Sequence, residues 1–294
     1  MNRSHYYFLI LTIFTLGAFT SCGNILENSG PGMAEGLTGE LHIDLQTDAT
    51  LQVNTKATTD VQETNIDTYK GTLSFTMTPK TGTTVPTGTT LPTVPGTYIV
   101  PIGSYTFQAK NDKVMNNNFA WDHPVLASVQ EERTISHTTP VNLTLTCTLQ
   151  NSIIAVDAAA WTSLLGTVDV TAFQVVDMET VPAYGTPITG GTSLLASGST
   201  TTLQSGMLYA KSDLANVKIV LDGKLKDTTD KTFRAVAPVK PSDTATTIGA
   251  KNKYNVSFNL DESKGTLTLS IVVDTNVTPV DIVIPIIPES DSTQ

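Results

Sequence analysis

Long apolar runs, basic residues, aromatic residues and cysteine are all in short supply in this chain of 294 residues. Its most membrane-like stretch, Tyr6 to Ala18, spans 13 residues. A bilayer-crossing helix needs roughly 20, so this segment argues against a permanent transmembrane anchor. Lys and Arg number 17 against 27 Asp and Glu, giving a net charge of −10 and a pI near 4.7. Sequence-independent nucleic-acid binding depends on basic side chains that neutralise phosphates. Nucleic acid and anionic lipid are therefore poor partners. Glu, Lys and Leu do not recur in the periodic runs of helical bundles or coiled coils, and no repeat period suggests a solenoid.

Signs of catalysis or metal binding are equally sparse. The four histidines are His5, His42, His123 and His137, and none shows metal-ligand spacing such as His-x-x-x-His. Asp122-His123 beside Trp121 could orient a base, but no Gly-x-Ser-x-Gly elbow supplies a serine nucleophile. Asp222-Gly223 and Asp227 to Asp230 lack the alternating oxygen ligands of a calcium loop and read as turns. Nothing in the residues points to a paired-carboxylate glycosidase site. The expectation is a non-enzyme, with no catalytic residues, no metal and no cofactor.

What the chain has is threonine, 50 residues of it, with 20 Gly and 15 Pro. This composition favours short strands joined by turns. Alternation with period two recurs from end to end. Leu41, Ile43 and Leu45 alternate with polar residues, His42 facing outward. So do Leu73, Phe75 and Met77, then Tyr105, Phe107 and Ala109, then Val141 to Leu149. Val217 to Leu221, Tyr254 to Leu260, Leu267 to Val273 and Ile282 to Ile286 follow. One-sided alternation fits antiparallel sheets with a wet face better than parallel strands buried on both faces. Asp261 to Gly265 reads as a hairpin connection. Lys80 to Pro101 and Thr186 to Leu203, rich in Thr, Gly, Pro and Ser, read as long surface loops.

One stretch differs. Asp157 to Gly166 has an N-cap residue, three alanines and a terminal glycine, the marks of a short helix. It lies near the middle of the chain and suggests a boundary around Val156. The fold class expected is all-β, two antiparallel β-sandwich domains at 39–156 and 157–288 with at most one short helix, and a polar tail at 289–294.

The N-terminus reads as an export signal. Arg3 and His5 precede the apolar run, and small residues follow it at Thr20-Ser21-Cys22. This junction resembles a bacterial lipobox, whose cysteine becomes the lipidated first residue of the mature chain; Phe19 stands where leucine is usual. Residues 1–21 are thus expected to be a signal peptide, Cys22 the lipidation site, and 22–38 a flexible tether. The other cysteine, Cys147, alternates in phase with Leu143, Leu145 and Leu149 and so reads as a buried small hydrophobe. A tether end and a core thiol make poor disulfide partners.

The two tryptophans are Trp121, in the loop-like Asn116 to Asp122, and Trp161 on the short helix. Trp161 reads as core. Trp121, with Tyr98, is the candidate ligand contact, since an exposed aromatic ring can stack on a sugar; a large ring covering a sandwich end is the competing reading. Thr228, Thr244 and Ser292, each after an aspartate and before a small residue or threonine, resemble O-glycosylation sites of exported proteins. A glycan there requires a surface position.

Several short segments carry a likeness to a known family. Gly39-Glu40-Leu41-His42-Ile43-Asp44-Leu45, Val53-Asn54-Thr55-Lys56-Ala57, Pro101 to Ala109, Leu145 to Ser152 and the terminal Asp281-Ile282-Val283-Ile284-Pro285 resemble the DUF4493 family of Bacteroidetes lipoproteins. That family is similar in style to the fimbrillin-like proteins of type V pili. The resemblance implies transthyretin/fimbrillin-like sandwiches and an outer-membrane, lipid-anchored, surface-exposed protein with a structural or adhesive, fimbria-associated role. It names no catalytic residue. Partners would be the lipid anchor, fimbrial subunits, or host and bacterial surface proteins or glycans; a glycan-binding lipoprotein serving polysaccharide capture is the alternative. Fimbrillin-like subunits are activated by cleavage after an arginine that follows an N-terminal strand. Here Arg3 leaves with the signal and Arg133 lies too far inside. Lys56 is the only basic residue in a comparable place, which implies an anchor or terminal component and not a repeating shaft subunit.

Overall fold

The computed structural model describes residues 37–48, 50–53, 61–62, 72–226, 231–240, 242, 244–263, 266–273 and 280–285, with backbone alone for 50–53, 61–62 and beyond 259. In chain order the strands begin with β1 (Thr38–Asp48), β2 (Thr50–Val53), β3 (Val61–Gln62), β4 (Ser74–Pro79), β5 (Gly96–Pro101) and β6 (Gly103–Lys110). Then come β7 (Phe119–Trp121), β8 (Leu126–Ala127), β9 (Glu131–Ile135), β10 (Val141–Leu149) and β11 (Asn151–Val156), followed by helix α1 (Ala158–Thr167). After it run β12 (Val168–Asp177), β13 (Thr192–Ser193), β14 (Leu208–Lys211), β15 (Val217–Leu225) and β16 (Thr232–Pro238). The last are β17 (Asn252–Ser263), β18 (Thr266–Val273) and β19 (Val280–Pro285). The fold is all-β with one short helix.

Three sheets result. The first has the order β4-β6-β8-β10-β1-β5, with β9 also on β6. The second runs β19-β18-β17-β11-β14-β7, with β2 on β17 and β3 on β2. The third is β13-β12-β15-β16. The alternation in the first sheet is as expected: Leu143, Leu145, Cys147 and Leu149 point inward, while Asn142, Thr144 and Thr146 are exposed. They join Leu41, Ile43, Leu45, Phe75, Met77, Tyr105 and Phe107 in one core. A second core gathers Trp161 and Leu164 of α1 with Phe173, Val175, Ile219, Leu221, Ala235, Tyr254, Val256 and Phe258. Each fully buried Val, Leu, Ile, Phe or Met among them contributes about 1.5–3 kcal/mol of hydrophobic free energy.

Strand β11 belongs to both cores. Ile153 packs into the first and Ile154 into the second. Its neighbour β14 repeats the arrangement, with Tyr209 facing the first core and Leu208 and Ala210 facing the second. A strand covered on both faces has no reason to alternate. This is why Ser152-Ile153-Ile154-Ala155-Val156 gives no period-two signal.

Pairing departs from the antiparallel expectation at three places. β1 lies parallel to β10, with Leu41 opposite Val141 and Leu45 opposite Leu145. β11 and β2 each lie parallel to β17. One-sided alternation reports which face is buried, not strand direction, so it could not separate these cases. Two loop readings also need correction. Lys80 to Pro101 ends in strand β5, which pairs antiparallel with β1, and Thr186 to Leu203 contains β13 and the bridge Leu195 to Leu203. Both are pinned by backbone pairing, which a Thr-, Gly- and Pro-rich composition does not reveal. The hairpin between β17 and β18 is tighter than read: pairing continues to Ser263 opposite Thr266, and Lys264 and Gly265 lie outside the described residues.

The helix forms where it was expected. Asp157 caps it, its Oδ1 accepting the N–H groups of Ala159 and Ala160 at 2.8 and 2.9 Å, an arrangement worth about 1 kcal/mol. Trp161 and Leu164, three apart, form its buried stripe. Trp161 stacks on Phe173 with ring centroids 5.0 Å apart. The helix ends at Thr167, where Val168 turns extended and enters β12.

The position of Cys147 tests the strand phase. It is fully buried, and burial pushes its thiol pKa up to about 11. Cys147→Asp places an unpartnered charge in the first core and is expected to cost about 3–5 kcal/mol. Thr146→Asp, on the wet face of the same strand, is expected to cost under about 1 kcal/mol. Thermal denaturation of the two variants checks this.

Candidate functional site

Trp121 closes strand β7, directly opposite Leu208 of β14. The pleat sends Phe119 and Trp121 to the face of the second core, against which Trp121 packs while staying half-exposed. The next residue fixes it there. Asp122 adopts a positive φ of 49°, a left-handed conformation that aspartate tolerates better than most residues and that its surroundings here enforce. The enforcement is visible: the Asp122 N–H donates to the Met207 carbonyl at 2.8 Å, and its Oδ1 accepts the Met207 N–H at 2.9 Å. Gly206 passes so near that a Cβ there would stand 2.5 Å from the Asp122 carboxylate. A side chain at Gly206 would break the clamp.

Two hollows flank the indole. The smaller, of about 240 Å³, is lined by Trp121, Ile154, Val156, Leu203, Gln204 and Lys253 among others. The larger and more open, of about 560 Å³, is lined by Trp121, Thr171, Gln174, Thr192, Ser193, Ser197, Ser199 and Gln204. Trp121 and Gln204 form the wall common to both. Among the described residues no carboxylate lines either hollow, and Lys253 is the one charged residue on their walls. Among the described residues the Trp121 indole N–H and the Gln204 side chain have no hydrogen-bond partner, in contrast to Trp161, whose Nε1 donates to the Thr201 carbonyl at 2.8 Å. The arrangement offers a fixed indole bordered by amide and hydroxyl groups, of which Ser193 Oγ already bonds the Leu195 backbone and Ser199 Oγ the N–H groups of Thr201 and Thr202.

Tyr98 is not part of this place. It sits on β5, packs against the first core, donates its hydroxyl to the Val94 carbonyl at 2.9 Å and lines neither hollow. Thr244 is exposed, its Oγ1 3.2 Å from Ser242 Oγ. Cys22, Lys56, Thr228 and Ser292 lie outside the described residues. His42 and His123 serve local structure: His42 lies 3.0 Å from both Thr97 Oγ1 and Glu40 Oε1, and His123 Nε2 stands 3.1 Å from the Val114 carbonyl; His137 is exposed, and His5 lies outside the described residues. Among the described residues no group of three His, Cys, Asp or Glu could hold a metal ion.

Gln204, Met207 and Lys253 escaped sequence reasoning. Met207 meets Asp122 across 85 positions, and no local pattern announces a contact of that range. The positive φ of Asp122 left no trace beyond a residue type that tolerates it.

The DUF4493 family, a domain of unknown function, matches residues 38–165. That span runs from β1 into α1 and includes Trp121. It falls short of the likeness expected through residue 288, and it excludes Gln204 and Lys253. The fold is similar to the tip fimbrial protein Mfa3 from Porphyromonas gingivalis, solved with a C-terminal truncation, at 9% identity and a TM-score of 0.40, covering 81% of this chain and 99% of that one. It is also similar to a fimbrial assembly protein from Parabacteroides distasonis, at 10% identity and a TM-score of 0.38, covering 81% and 98%. No curated protein matches the sequence.

If the clamp holds the indole in place, Asp122→Ala, which loses the acceptor and leaves alanine at positive φ, is expected to cost about 1–3 kcal/mol and to shift the Trp121 emission to the red. Asp122→Asn, which keeps both an acceptor and tolerance of the conformation, is expected to stay close to the parent. Thermal denaturation and tryptophan fluorescence check the pair.

Proposed function

We propose that this chain is a non-enzymatic lipoprotein, held to the outer membrane through Cys22 and exposed at the cell surface, with a structural or adhesive, fimbria-associated role. The observation that carries the reading is Cys22 itself. It follows a basic start and a 13-residue apolar run, and a polar stretch then leads directly into β1. The DUF4493 match over 38–165 supports the same assignment. The two cores, which share β11 and β14, support a two-sandwich arrangement in which β7, ahead of Val156, contributes Phe119 and Trp121 to the second core. A second reading, glycan capture at the same membrane, is favoured by the half-exposed Trp121 between two hollows.

Attachment is tested by detergent phase partitioning. One acyl chain anchors weakly and several anchor stably, so the parent protein is expected in the detergent phase. Cys22→Ser is expected to give released protein or an uncleaved precursor. A parent protein found wholly in the aqueous phase would refute the anchor.

Arginine-specific proteolysis is not expected to activate this protein. Arg133 sits in β9, which is paired to β6, and its guanidinium holds Glu131 at 2.5 Å. Arg234 is buried, gripping both Asp222 oxygens at 2.6 Å and the carbonyls of Pro182, Ala183 and Thr186 at 2.8–3.1 Å. Neither presents an open bond next to an N-terminal strand. The protein is expected to remain a tethered monomer, anchor or terminal component, and intact mass of material from the native cell surface checks it. A mature chain starting at Ala57 within high-mass polymers would overturn this.

A further inference from the structure

We infer that the paired hollows around Trp121 form a subsite for an acidic glycan, with an acid-bearing sugar ring in the smaller hollow and the chain continuing through the larger. The inference rests on the glycan-capture reading and commits it to a ligand charge. Three observations carry it.

The first is the indole. Trp121 is half-exposed and held beside Asp122, whose left-handed backbone and two hydrogen bonds to Met207 fix the turn. A sugar ring stacking on it pays little to order the platform, and a preorganised aromatic binds with less lost entropy than a mobile one.

The second is the lining. The larger hollow presents Thr171, Gln174, Thr192, Ser193, Ser197 and Ser199, and Gln204 faces both. Hydroxyl and amide groups suit a polyol, whose hydroxyls both donate and accept. The indole N–H and the Gln204 amide have no protein partner among the described residues, so a ligand would exchange bonds with water and break none within the protein.

The third is charge. The chain carries −10 overall, yet among the described residues neither hollow is lined by an acid, and the smaller is lined by Lys253. No ion pair engages Lys253 among the described residues. The nearby Asp122 carboxylate accepts the Met207 N–H, which fixes its position and leaves its charge in place. In an acidic protein, a lysine on the wall of a small concave site gives a carboxylate-bearing ligand an ion-pair partner, and a charge-assisted hydrogen bond there is stronger than a neutral one.

The test is calorimetric titration of the full chain in detergent with tetragalacturonic acid and, separately, with its fully methyl-esterified form, which keeps the rings and removes the charge. The acid is expected to bind more tightly than the ester, and added salt is expected to weaken the difference. Lys253→Met is expected to lower affinity for the acid by on the order of tenfold while leaving the ester unchanged. Trp121→Ala is expected to abolish binding of both, and Trp121→Phe, which keeps a ring, to retain part of it, with melting curves confirming that each variant is folded. Equal affinity for acid and ester, or no effect of Lys253→Met, overturns the acidic assignment and leaves glycan capture standing. No heat with either probe, or binding unchanged in a folded Trp121→Ala, overturns the site and the glycan reading with it.

Discussion

Strands β11 and β14 are covered on both faces at Asn151–Ile154 and Leu208–Ala210, and the arrangement of both cores follows from that. Adjacent residues of one short strand, Ile153 and Ile154, point to opposite sides and are both almost completely buried. A doubly covered strand needs every backbone and side-chain polar group satisfied, since unpaired ones cost more in a dry interior than bonds return. The residues that open β11 meet this demand. Asn151 accepts from the Val125 N–H at 3.3 Å through its side chain and from the Lys251 N–H at 3.0 Å through its backbone, while its amide donates to the His123 carbonyl at 3.0 Å. Ser152 Oγ donates to the Gly249 carbonyl at 2.6 Å. Chain segments distant in sequence are tied at one point.

The candidate site is a by-product of the same strands. β11 pairs with β14 from Asn151 to Ile154 and no further, then continues beside β17 through Ala155 and Val156. Where β14 falls away, a gap opens, and Ala155, Val156, Gly206 and Met207 line it. β7 meets the far edge of β14 and brings Trp121 to the same gap. A platform mounted on paired strands is more rigid than one on a free loop, and the Asp122 clamp completes it.

Elsewhere a single buried ion pair performs the comparable task for a loop. Arg234 on β16 and Asp222 on β15 face each other across the third sheet, and the remaining guanidinium nitrogen collects three carbonyls from residues 182–186. The planar guanidinium can bind a carboxylate bidentately and still hold a loop. A lysine could not do both. This buried arginine was visible in the sequence only as one of three.

Much of this protein was legible before any coordinates. The strands with one wet face, at Leu41 to Leu45, Tyr105 to Ala109, Val141 to Leu149 and Tyr254 to Phe258, announce themselves because burying alternate side chains leaves a period of two. The inward thiol of Cys147 and the capped helix after Asp157 follow from equally local rules. What the tertiary structure alone decided is everything that depends on a second surface. Strand direction at β1 and β10, the double burial of β11, the pairing hidden in threonine-rich segments, and the meeting of Trp121 and Asp122 with Gly206, Met207 and Lys253 all arise between residues far apart in the chain. Local propensity and periodicity record how a residue relates to its immediate neighbours and to one buried face; they carry no information about which distant segment supplies the other.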